Sequence, residues 1–220
     1  MNRITFEFPN ASDYDLNKPN CEALYNAHID FFSIRGLIDC TERATIDMIN
    51  ELYMQINMEK DYGDIFSHQI ATNNLALYNS RIIPLTYIST LLILISTLEE
   101  SLNNLCNAYY LANNYSIQFK DLYGQGLERA INYLEKIVGI HNIKKEKQWE
   151  FIKIARDARN AIAHNGGRIK DNDITKYEKV GFYVQKENKQ ILLDYDTLIN
   201  IYNEILTFIN NVFSKTPFKD

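Results

Sequence analysis

The sequence predicts a mainly α-helical fold: a helical bundle with a small C-terminal β-hairpin before the last helix. Three observations predict it. Apolar residues recur at helical spacing over long stretches, most clearly in "IIPLTYISTLLILISTL" at 82–98. The texture then changes in "KVGFYVQ" and "QILLDY", short alternating runs that flank the turn "KENK". Helical spacing returns from Thr197 to Ser214. With 220 residues, 46% hydrophobic and 23% charged, the chain fits a single compact domain. Within it, residues 1–80 are expected as a helical extension packed on a bundle formed by residues 81–220.

The elements follow in chain order. A short strand is expected at Ile4 to Phe8. Pro19 suits a first helical turn, so a helix is expected from Asn20 to Ser33. "IRGLIDC" reads as an interruption, and Thr41 caps a second helix to Glu59. The Asn-rich stretch from Asp61 to Asn79 reads as a loop with helical turns. Pro84 opens the longest helix, to Ala112. In it Leu91, Leu94, Ile95, Leu98, Leu102 and Leu105 share one side, and Thr86, Ser89, Thr90, Ser96 and Thr97 gather opposite. Its 17 uncharged residues are marginal for a membrane span, so it reads as a buried bundle helix with a small-residue seam. A helix from Leu122 to Val138 is stopped by Gly139. The next, from Lys144 to His164, is stopped by Asn165, Gly166 and Gly167, because glycine takes the left-handed backbone that ends helices.

The cysteines, Cys21, Cys40 and Cys106, have neither zinc nor redox spacing and read as small buried apolar residues. "MNRITFEFPN" does not read as a signal peptide, and the expected setting is cytoplasmic, without a membrane. A net charge of −5 hides a split. From Lys144 to Lys189 there are 12 Lys or Arg against 7 Asp or Glu, a local +5, and the remainder carries −10. A basic segment of this kind suits an anionic partner.

Inside that segment lies "RNAIAHNGG", residues 159–167. With eight Arg and four His in the chain, an Arg and a His at this spacing would arise by luck roughly 0.15 times, and with Asn after the Arg roughly 0.02 times. Asn160 and His164 share a helix face. Arg159 sits about 140° round from His164, with a side chain long enough to swing toward the same edge. His164 occupies the final turn, where free carbonyls favour a positive imidazole suited to proton transfer. The forked guanidinium of Arg159 suits phosphate oxygens. Arg156, one turn earlier, and Arg168, just past the glycines, are candidates to widen the grip on substrate. Glu100, beside Glu99 on the long helix, is a candidate to orient Arg159 or His164. Each residue also has a structural reading: His164 bonding the last carbonyls, Arg159 paired with Asp157 or Glu150, and Asn160 bonded to a neighbouring helix.

An arginine and a histidine without evident metal ligands suit the cleavage of RNA by its own 2′-hydroxyl. The protein then moves protons and holds a charged transition state. The pattern Arg159-Asn160-x-x-x-His164, late in a bundle, resembles the HEPN superfamily, whose motif is Arg, a polar residue, three more, then His. The resemblance covers roughly residues 80–214. It implies that residues 81–220 are an HEPN-like bundle with Arg159, Asn160 and His164 as catalytic residues. It also implies a metal-independent endoribonuclease with no cofactor, acting on RNA as a toxin or phage-defence effector. Partners follow from it as well: a second copy sharing a composite active site, and an antitoxin or regulatory protein. The alternative is a non-catalytic bundle of this type that binds nucleotide, RNA or a protein partner. Some toxin members carry a Tyr two residues after the His; this chain has Gly166 there.

Overall fold

A computed structural model describes residues 8–215. It is a mainly α-helical bundle with one antiparallel hairpin before the last helix. The strand expected at Ile4 to Phe8 lies outside the described residues except for Phe8.

Helix α1 runs unbroken from Pro19 to Tyr62 over 44 residues. The interruption expected at "IRGLIDC" is absent. Gly36 weakens a helix by about 1 kcal/mol, but Phe31, Ile34 and Ile38 at steps of three and four are all buried and carry the helix through. The stretch expected as a loop is helix α2, Ile65–Leu77, capped by the Asp64 carboxylate, which accepts a bond from the Ser67 N–H at 2.7 Å. α2 turns back along α1. A π-helical turn, Tyr78–Ile82, then joins it to α3, Ile83–Asn113. Residue 80 falls inside that turn. Pro84 lacks an N–H, and the wider turn ahead of it accommodates the missing bond.

α3 is the pillar of the bundle, and α1, α4, α5 and α7 all pack on it. The six leucines and isoleucines expected inside are buried, as are Tyr87 and Tyr109. The small-residue side expected to be a buried seam faces water at Ser89 and Ser96. From Ile65 to Asn113 the rod is long and apolar enough to cross a membrane by length and composition alone, with 33% of its most apolar window buried. Helix α4, Gly126–Tyr133, begins four residues later than expected, because Gly124 and Gly126 take left-handed backbone. Its last turn, Leu134–Val138, is π-helical and ends at Gly139.

Helix α5, Lys147–Asn165, buries Trp149, Ile152, Ile154, Ala155 and Ala158. Trp149 stacks on Phe208 of the last helix at 5.8 Å. A short helix not expected from the sequence, α6, covers Ile174–Glu178. Strands β1 (Tyr183–Gln185) and β2 (Gln190–Leu192) pair with Val184 opposite Ile191, both buried. Helix α7, Tyr195–Ser214, is capped by Asp194 through the Thr197 N–H at 2.8 Å. Among the cysteines only Cys106 matches the buried reading. Cys40 is exposed and Cys21 half-buried.

Candidate active site

The end of α5 is fixed by its glycines. Gly166 takes φ 61°, and the N–H groups of Gly166 and Gly167 both turn back to the Ala161 carbonyl. The chain then lies along the hairpin. Gly167 accepts the Ile191 N–H at 2.9 Å, Ile169 donates to the Lys189 carbonyl at 3.0 Å, and the Gln190 side chain donates to the Gly166 carbonyl at 3.0 Å. A Cβ on Gly167 would meet the Ile191 carbonyl at 3.4 Å, in a backbone conformation that L residues rarely adopt. The turn therefore holds the exposed His164 on one side of a groove and the returning chain on the other.

That groove is an open cleft of about 710 Å³. Asp157, Asn160 and His164 line it from α5, Arg168 and Lys170 from the returning chain, and Tyr177 from α6. Arg168 and Lys170 form no ion pair among the described residues. Asp157 is tied to Lys176 at 2.6 Å and to Arg156 at 3.0 Å. Burial opposes its charge, but the bonds from Lys176 and Arg156 outweigh that, and the carboxyl is held below its ordinary value.

The candidate residues divide into two groups. Asn160, His164 and Arg168 share the cleft. Arg159 does not line it. Its guanidinium reaches across to α3, donating to Ser96 Oγ at 3.2 Å, and to Asn160 Oδ1 at 3.0 Å. It pairs with neither Asp157 nor Glu150. Its Nε–H is buried with no partner among the described residues. Arg159 therefore meets the cleft at one remove, through the amide of Asn160. Arg156 does not line the cleft either, but it pairs with Asp157, which does, and with Glu128 of α4. Glu100 is exposed on α3 near Asp30 of α1, whose carboxyl it helps to raise after burial. Glu100 makes no hydrogen bond or ion pair with Arg159 or His164 among the described residues; the charge it meets is Asp30 of α1.

Lys170 and Tyr177 are cleft residues that the sequence reading did not single out. The excess of positive charge around them is the signal that pointed there. Among the described residues, no three His, Cys, Asp or Glu side chains gather as a metal-ligating group. A groove of this kind, with the imidazole of His164, the amides of Asn160 and Asn165, the cations Arg168 and Lys170 and the carboxylates Asp157 and Asp173, can hold a phosphate on its cationic side and move a proton beside it. No family model, curated protein or solved structure matches the chain.

Proposed function

We propose that the protein is a metal-independent endoribonuclease of HEPN type, acting as a toxin or phage-defence effector. The observation that carries this reading is the exposed imidazole of His164 beside Asn160, with Arg168 and Lys170, which have no ion pair among the described residues, in the same cleft. In the proposed reaction an imidazole takes the proton of the ribose 2′-hydroxyl. The 2′-oxygen bonds to the adjacent phosphorus, and the bond from phosphorus to the 5′-oxygen breaks. A second imidazole returns a proton to that leaving oxygen. The products are a cyclic 2′,3′-phosphate and a 5′-hydroxyl. Arg168 and Lys170 hold the phosphoryl oxygens as their charge grows.

One chain supplies one histidine to the cleft, so the reading includes a second copy whose His164 acts as the other proton carrier. An antitoxin or regulatory partner fits the same setting. A second reading has its own observation. Arg159 is bonded into the α3–α5 interface, which suits a bundle that binds nucleotide, RNA or a protein partner without cutting.

One experiment separates them. Purified protein should cut single-stranded RNA in the presence of a strong chelator, and His164→Ala should lower the rate at least about 100-fold with an unchanged circular dichroism spectrum. Cutting that stops with chelator, or full activity in the variant, removes the proposed mechanism. RNA binding with no cutting by the wild type selects the second reading.

A further inference from the structure

A second cleft, of about 570 Å³, lies near the other end of α5. Glu135, His141, Asn142, Lys144 and Lys145 line it. Lys145 forms no ion pair among the described residues. Glu135 is engaged, since its Oε1 accepts the Lys144 N–H at 3.1 Å. The two clefts are not isolated from each other. Lys144 pairs with Glu128 at 3.7 Å, and Glu128 also meets Arg156 at 3.8 Å. Arg156 meets Asp157 at 3.0 Å, and Asp157 lines the His164 cleft. A continuous row of alternating charges thus runs beside α5 from one cleft to the other, with unpaired cations at both ends.

We infer that this row is a binding track for single-stranded RNA, and that the His141–Lys145 cleft holds backbone phosphate several nucleotides away from the strand seated at His164. The inference rests on the ribonucleolytic or RNA-binding reading of the His164 cleft. The charges favour a polyanion over a mononucleotide, because no single small ligand reaches both sets of free cations. They favour a single strand over a duplex for two reasons. Glu128 and Asp157 interrupt the row, and only a flexible backbone can set its phosphates on the cations and pass over the carboxylates. Attack by a 2′-oxygen also needs it in line with the leaving oxygen, which a stacked A-form helix resists.

The test uses binding, so it does not depend on cutting. The probe is a fluorescent RNA of about 16 nucleotides with every 2′-hydroxyl methylated, compared with a dinucleotide of the same chemistry. Fluorescence anisotropy is measured against salt. Lys144→Ala/Lys145→Ala should weaken binding of the long probe about tenfold and lower its salt slope by roughly 1.4, or about 0.7 per lost contact. Dinucleotide binding should not change. Lys186→Ala, at the exposed hairpin turn, is the control and should leave both unchanged. The track is overturned if the wild type does not bind the long probe, if the double variant loses no more than the control, or if both probes weaken equally. Lysine-dependent binding of the long probe without chelator-resistant cutting would retain the track and remove the ribonuclease reading.

Discussion

Arg159 poses the sharpest question at the scale of single residues. Its two terminal nitrogens have partners, yet its Nε–H is buried without one among the described residues. An orphaned donor of that kind costs about 1–3 kcal/mol. The two charge-assisted bonds it makes return about 1.5–3 kcal/mol each. The bonds thus outweigh the orphaned donor by a modest margin. Under the proposed function the guanidinium is retained for the charge it brings near Asn160. Arg159→Met, similar in length and apolar, should therefore destabilise the fold by only about 1–3 kcal/mol, while RNA cutting falls about 100-fold or more. Denaturant unfolding and a cleavage assay, run side by side, check both halves. A variant that unfolds readily and still cuts would assign Arg159 to the fold alone.

Among the elements, α1 offers a prediction from a position that contributes nothing to packing. Gly36 lies inside the long helix, exposed, and a Cβ there meets no atom within 4 Å. Gly36→Ala should stabilise the protein by about 0.5–1 kcal/mol, read as a rise in melting temperature. A fall would mean that α1 needs the glycine for a bend. The same residue shows what was legible in the sequence and what was not. "IRGLIDC" reads as a break because glycine propensity is local, whereas the burial of Ile34 and Ile38 depends on α3, far along the chain. The core of α3, the hairpin and α7 were legible because each repeats its own period and is buried on one side. α2 was not, since only Ala71 is buried and its outer face breaks the amphipathic pattern. At the site, Asn160 and His164 could be placed together by helix geometry alone. The turn of Arg159 toward Ser96 could not, because that partner lies 63 residues away. The α5–α6 junction adds a pH effect. Asp157 has a lowered carboxyl value in the folded state, so its stabilising contribution is complete above the ordinary 3.8 and is lost as pH falls through the lower folded value. Melting temperature measured through that acid range should fall less steeply for Asp157→Asn than for the wild type.

For the whole molecule, the outer face of the α2–α3 rod is the surface that the single chain leaves unexplained. Phe66, Ile70 and Leu77 follow one another at steps of four and seven on α2. Ile82, the last residue of the π turn, and then Leu85, Ser89, Ile93 and Ser96 on α3 continue at steps of three and four. The step of five between Leu77 and Ile82 falls across the π turn, whose ring is one residue wider. The six large apolar residues of this stripe are 43–71% exposed. Together they leave roughly 500 Å² of apolar surface in water, against about 800 Å² that each partner of a standard dimer buries. No charge lies between Arg81 and Glu99, so two copies can meet along the α3 part of the stripe, Leu85 to Ser96, without like-charge cost. The stripe also ends at Ser96, which receives Arg159, so a copy docked there would lie against the motif. The composite site in the proposed function thus has a face to form on. Sedimentation should give a dimer for the wild type and a monomer for Leu85→Glu/Ile93→Glu, with helical content retained. Both substituted positions are exposed, so the isolated fold should tolerate the charges, and RNA cutting should be lost because each chain keeps its own His164 but loses its partner's. A wild type that sediments as a monomer while cutting RNA would show that one copy suffices, and the second proton carrier would then have to come from the same chain.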